Sequence, residues 1–254
     1  MANKKRRSRA KPRSGARPRS RPSIGGAHIG ARLRWLAALA LIGMIGGGYA
    51  WWTMRHWQPA RAAYAMQGAI IGNSDGDVDF ASIKAIGANF VYVEASASAF
   101  ARDPAVVKNL DGARVAGVQV GALHKYDPCQ PADKQAANFV TVVPRDAKML
   151  PPAVELEQLA EDCPVKVTDA AVISELMTFL NQIETHTGKA AILKLGTNFE
   201  TKYHIAHAID RNLWLSRDRV EPEYGGRPWA MWTANSGLIN TATDQPLRWV
   251  VVQQ

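Results

Sequence analysis

Between residues 68 and 253, short strand-like apolar runs alternate five times with helix-patterned stretches, and three more strand-like runs then follow with no helix between them. GAIIG (68–72) precedes VDFASIKAIG, and NFVYVEAS (89–96) precedes DPAVVKNLDGARVAG (103–117). In the latter, Asp103-Pro104 supplies an N-cap and a first helical residue, and Gly117 a stop. VQVGALH (118–124) leads to PADKQAANFVTVV (131–143), and AVELE (153–157) to DAAVISELMTFLNQIETHTGK (169–189), which stops near Gly188. AAILKLG (190–196) leads to a helix around FETKYHIAHAI, after which NLWLS, PWAMWT and LRWVVVQ read as strands alone. This order predicts an α/β fold: an irregular TIM-like (β/α)5β3 barrel over residues 64–254, closed by eight strands and only partly coated with helices.

Charge divides the 254-residue chain. Twelve of its 31 Lys and Arg residues fall in residues 1–34, which hold no acid, so the remainder carries 19 basic against 22 acidic side chains. The net charge of +9 therefore belongs to the tail, which alone could touch DNA, RNA or lipid by charge attraction; the overall pI says nothing about nucleic-acid binding by the mildly acidic remainder, and nucleic acid ranks last among the expected partners. Rich in Arg, Ser, Pro and Gly, residues 1–34 are expected to be disordered, because they bury too little to offset their ordering entropy.

Residues 35–54, WLAALALIGMIGGGYAWWTM, hold no charge, and twenty residues at helical rise span a hydrocarbon core. Trp51, Trp52 and Trp57 sit where an interfacial belt belongs. The rival reading is a cleaved signal peptide; against it stand the long basic leader and the absence of a clean small-x-small site. A transmembrane anchor is expected, with residues 55–63 as linker. The positive-inside rule keeps the N-terminus cytoplasmic at the inner membrane, places the tail against anionic lipids, and exports the barrel.

Cys129 and Cys163, both exported, favour a disulfide in an oxidising compartment. Without CxxC spacing or nearby His they make a poor metal set, and neither metal nor cofactor is expected. Asp75, Asp77 and Asp79 lack the loop length and distal Glu of an EF-hand and read as a turn before a helix.

In barrels of this kind reactive groups sit at the C-terminal strand ends. Glu155-Leu156-Glu157 ends the fourth βα strand, and alternation puts both carboxylates on one face. The plain alternative for such a pair is a solvated or salt-bridged strand end.

The stretches DGARVAGVQVGALH, QAANFVTVVPRD, MLPPAVELE, TGKAAILKLGTNF and GGRPWAMW, in this order, resemble the glycoside hydrolase family 25 lysozymes over roughly residues 64–254. The resemblance implies the same (β/α)5β3 barrel and a disulfide at positions like Cys129 and Cys163. It also implies cleavage of the β-1,4 MurNAc–GlcNAc bond of peptidoglycan, with glycan strands as partner. The family's Asp-x-Glu is matched by Glu155-Leu156-Glu157, which makes Glu157 the general acid. Glu155 becomes a like-charged neighbour or the group steering the substrate acetamido in a substrate-assisted scheme. His124 matches the family His of the third strand and becomes a substrate contact, against a hydrogen-bonded structural role. Trp229, Trp232 and Trp249 are flat faces for sugar rings, or core.

Three acid positions of the family are replaced. Ile70 stands for the first-strand Asp, Ala97 for the second-strand Glu, and Arg248 (or Leu247, by register) for the last Asp. Arg248 is expected to pair with Glu155 or Glu157 and weaken the acid. Two functions therefore stay open: a membrane-anchored muramidase with a reduced acid set, or an inactive muramidase fold that binds glycan strands or an envelope partner.

Overall fold

The computed structural model describes residues 26–253, with side chains from residue 32 onward; the basic tail through residue 25 lies outside the described residues. The chain divides into two compact units at Ala50/Trp51. Helix α1, Gly26–Arg55, contains one apolar stretch, Arg32–Arg55, whose 24 residues are long enough to cross a bilayer and none of which is buried against protein.

The second unit is the barrel. Its strands are β1 (Gln67–Ile71), β2 (Phe90–Ala97), the short β3 (Ala101–Arg102), β4 (Gln119–Lys125), β5 (Ala153–Leu156), β6 (Ile192–Leu195), β7 (Asn212–Ser216), β8 (Met231–Leu238) and β9 (Leu247–Val252). Helices α2 (Phe80–Ala85), α3 (Val106–Val115), α4 (Ala132–Val142) and α5 (Asp169–Thr187) coat it, with the pair α6 (Thr197–Tyr203) and α7 (Ile205–Ala208) after β6. Eight strands run in the order β1-β9-β8-β7-β6-β5-β4-β2, and β1 pairs with β2 to close the ring; β3 only folds back on β2. All contacts in the ring are parallel except the two made by β9. The (β/α)5β3 expectation holds, because β7, β8 and β9 are joined without helices.

Strand alternation divides the core into two. Ile70, Tyr92, Leu123, Ala153, Ile192, Trp214, Met231 and Val250 point inward and fill the lumen. The alternate residues, such as Val91, Val93, Val154, Leu156, Leu193 and Leu195, point outward and pack under the helices. Tyr92 fits because its neighbour on β4 is Gly121, where a Cβ would come within 2.4 Å of the Tyr92 ring. Trp214 stacks edge-on against Tyr92 at 5.0 Å and donates its indole N–H to Thr233 Oγ1. The barrel is therefore solid below its mouth.

Local signals set the helix ends. Asp79 accepts from the Ala81 and Ser82 N–H groups and caps α2, and Thr168 caps α5. Gly188 closes α5 at φ 70°, a left-handed value that suits glycine. The single helix expected after β6 is broken instead at His204, whose φ of 52° starts α7.

The stretch expected as a linker is part of the barrel wall. Trp57 packs on Trp232 at 6.4 Å between ring centroids, Pro59 is buried, and Tyr64 lies against Trp229 and Trp232. A short run of chain held at this many points is no free spacer.

Candidate active site

The same alternation that fills the lumen puts a polar layer on top of it. One step beyond Tyr92, Leu123, Ala153 and Ile192 come Glu94, Lys125, Glu155 and Lys194, each at the C-terminal end of a parallel strand. Arg248 joins from the start of antiparallel β9, opposite Ile70. Glu157 stands just past β5 on the same face.

These groups form two ion-pair clusters. In the first, Lys194 sits directly beside Glu155 in register across β5–β6 and bonds its Oε1, while its Nζ also lies 3.3 Å from Glu157 Oε1. The side chains of Lys194 and Glu155 are 7% and 11% exposed; that of Glu157 is 61% exposed. Glu155 is thus an inner, fixed carboxylate and Glu157 the outer one, open to a ligand.

In the second cluster Arg248 binds Glu94 Oε1 and lies 3.2 Å from Asp75 Oδ2, while Lys125 Nζ is 2.9 Å from Glu94 Oε2. Burial would raise the Glu94 carboxyl, but Arg248 and Lys125 together hold it below the ordinary glutamate value. Asp75 behaves oppositely: burial raises it despite Arg248 and the Gly72 N–H. For Arg248, burial disfavours the charge, yet Glu94 and Asp75 more than offset it and raise its pKa.

The expected contact of Arg248 with Glu155 or Glu157 is replaced by ion pairs with Glu94 and Asp75, and of the expected pair only Glu155 still acts on Arg248, through its charge without contact. Barrel closure puts β9 beside β1, so the nearest carboxylates to Arg248 come from β2 and the turn after β1; Glu155 lies across the mouth. The cation that meets the Glu155-Leu156-Glu157 pair is Lys194.

Of the three positions where a family acid is replaced, Ile70 is buried in the lumen and Ala97 lies at the end of β2 opposite Lys125. Arg248 alone puts a charge into the mouth. The Asp75-x-Asp77-x-Asp79 run is dispersed: Asp75 faces Arg248, Asp77 meets Lys108 at 2.6 Å, and Asp79 caps α2.

The other expected contacts lie elsewhere. His124 is fully buried on the outer face of β4, since Leu123 takes the lumen. It lies 2.8 Å from Ser96 Oγ and 3.3 Å from Gln135 Oε1, with the Phe179 ring at 4.7 Å, and burial pushes its pKa down to about 4. It does not reach the mouth. Trp232 also faces outward, because Met231 points into the lumen and Thr233 bonds the lumen Trp214. Its indole donates to the Arg217 carbonyl, and Trp229 packs beside it at 6.0 Å. Trp249 is fully buried and donates to Gln67. None of these tryptophans offers a ring face to the mouth. Cys129 and Cys163 form a disulfide joining the loops after β4 and β5, at the same end of the barrel as Glu157.

Glu94, Lys125 and Lys194 are the mouth residues that motif reading missed. The available signal was position: each is a charge on the lumen parity of a strand, two residues beyond an inward apolar side chain.

Comparison with known proteins agrees with this architecture. The model of the glycosyl hydrolases family 25 matches residues 71–237. Among solved structures, a family 25 glycosyl hydrolase from Bacillus anthracis superposes with a TM-score of 0.69 at 23% identity, covering 78% of this chain and 92% of the other. The bacterial lysozyme of Streptomyces coelicolor gives 0.65 at 17% identity, covering 74% and 92%. The spore cortex lytic enzyme of Clostridium perfringens gives 0.65 at 21% identity, covering 77% and 69%. A search of curated proteins finds no match. With the family model spanning well over half of its length, this chain belongs to the glycosyl hydrolases family 25.

Proposed function

We propose that the chain is a membrane-anchored, extracytoplasmic muramidase-type domain whose mouth takes peptidoglycan glycan strands, with Glu157 as general acid at the β-1,4 MurNAc–GlcNAc bond. The observation that carries this reading is the division of labour in the Glu155-Leu156-Glu157 pair: Glu155 is buried and held by Lys194, while Glu157 projects from the same face with 61% of its side chain exposed. A proton donor must reach the glycosidic oxygen, and only the outer carboxylate is open to do so. An inner carboxylate fixed by Lys194 is suited to orienting a substrate acetamido group, which then acts as the nucleophile in a substrate-assisted scheme. Replacement of the first-strand acid by Ile70 removes charge that would stabilise an oxocarbenium-like transition state, so slow turnover is expected.

The anchor is supported by the apolar stretch Arg32–Arg55, and the exported placement by the basic leader and by the disulfide. The basic tail would lie against anionic lipid.

A second reading has its own observation: Asp75, Glu94, Glu155 and Glu157 all face a cation. In that reading the mouth binds glycan strands without cutting them. Digestion of purified glycan strands separates the two. Reducing ends released by the native chain but not by Glu157→Gln support the acid; retained binding with no release supports the second reading.

A further inference from the structure

We propose that Phe100 is a sugar-stacking platform at the rim of the mouth, a subsite for a pyranose ring of the glycan strand next to the one whose bond meets Glu157. This rests on the glycan-directed reading given above. Two observations carry it: the ring is the one bare aromatic of the barrel, and the hairpin that bears it is pinned more firmly than a plain turn requires.

Beyond residue 55, every Trp, Tyr and Phe among the described residues is buried or half-buried except Phe100, which is 74% exposed. A lone exposed apolar side chain is ordinary on a protein surface. The place of this one is not. Residues 98–100 form the turn between β2 and β3, past the C-terminal end of a parallel strand, and so stand at the mouth end. With Trp229, Trp232 and Trp249 packed into the core, Phe100 is the one exposed aromatic ring at that end among the described residues.

The hairpin adjoins the reacting groups in a defined order. Ala97 at its base is in register with Lys125, Lys125 with Glu155, and Glu155 with Lys194. Along this row β2 lies two strands from β5, about 10 Å. Ala97 and Ala101, paired across the hairpin, carry only methyl groups beside Lys125. The Lys125 ammonium bonds Glu94, and with its side chain 44% exposed it keeps donors for sugar oxygens. A strand laid along the row would put one ring at Glu157 and a neighbouring ring at Phe100.

The turn is held from below. Asn138, buried on α4, donates from Nδ2 to the Ala101 carbonyl at 2.9 Å and to the Ser98 carbonyl at 3.2 Å, while its Oδ1 accepts from Arg102 Nε at 2.9 Å. The Ser98 N–H donates to the Lys125 carbonyl, and its Oγ donates to Asp127 Oδ2 at 2.8 Å. Ser98 holds a left-handed φ of 52°, which a residue other than glycine keeps only where its surroundings impose it. A platform fixed in advance loses little freedom when a ligand docks. The apolar C–H face of a pyranose suits a flat ring of this size, and covering one face of the phenyl group strengthens binding roughly tenfold.

The test uses the full chain in detergent micelles, carrying Glu157→Gln so that strands are bound but not cut, and measures its affinity for soluble glycan strands. Phe100→Ala is expected to weaken binding roughly tenfold, Phe100→Trp to restore it, and Phe100→Leu, apolar but without a flat face, to restore little. Because the side chain is exposed, all three should unfold at the native midpoint. Native-strength binding by Phe100→Ala, or recovery by Phe100→Leu equal to that by Phe100→Trp, would overturn the platform and leave the glycan reading standing. A lowered midpoint that tracks the loss of binding would make the ring structural and overturn it too. No strand bound by the Glu157→Gln chain itself would overturn the glycan reading as well.

Discussion

Lys194 is the residue on which the mouth turns, because it is a buried cation that satisfies a buried carboxylate. Removing one partner of such a pair leaves an uncompensated charge and costs about 3–5 kcal/mol. Lys194→Met is expected to lower urea-unfolding stability by that amount, and adding Glu155→Gln to recover most of it. Glu157→Gln, at an exposed position, is expected to stay within about 0.5 kcal/mol of the native chain while abolishing any cleavage. His124 makes a prediction in pH. Its folded pKa of about 4 lies below the ordinary 6.5, so the unfolded chain binds the proton first and stability is lost as pH falls through that window. Between pH 6.5 and 5 the loss is about 1.5 kcal/mol, the slope reaching its full 1.36 kcal/mol per pH unit only once the unfolded His is mostly protonated. Unfolding curves at several pH values check this, and His124→Asn should flatten the slope. Glu155 and Glu157 were legible as a pair because alternation alone puts them on one face. Lys194 was not, because which strand neighbours β5, and at what register, is decided by the closure of the whole ring.

At the scale of elements, apolar runs of period two and amphipathic stretches with Asp, Pro and Gly punctuation made all eight ring strands and the first four barrel helices readable. What escaped has local physical causes. The hairpin strand β3 is two residues long, too short for any pattern. The break at His204 depends on a left-handed residue that is not glycine. The extension of β8 past Thr233 passes through two register shifts on β9 and carries Asn235 and Gly237, which do not read as strand. Whether Trp232 faces sugar or core stays open in the sequence, because the parity of β8 is fixed only by its pairing with β7 and β9. The disulfide joins two mouth loops across 34 residues, and loop-closure entropy makes it worth about 4 kcal/mol. Reduction, or Cys129→Ser with Cys163→Ser, should cost that much in urea unfolding.

Over the whole barrel, ring closure decides which charges meet at the mouth. Ring closure brings β9 beside β1 and so turns Arg248 toward Glu94 and Asp75 instead of toward Glu155 and Glu157. That single topological fact keeps Arg248 off the outer carboxylate and leaves Lys194 as its only cation partner among the described residues. Sequence patterning reached the family and the barrel; it could not reach the charge pairing, which is a property of the closed ring. The most direct measurement is reducing-end release from purified glycan strands by the native chain and by Glu157→Gln, assayed side by side. Slow release by the native chain that vanishes in the variant is the result expected of an outer acid working beside a fixed inner carboxylate. Absence of release from both, with strands still bound, would contradict it and leave a family 25 barrel that holds glycan without cutting.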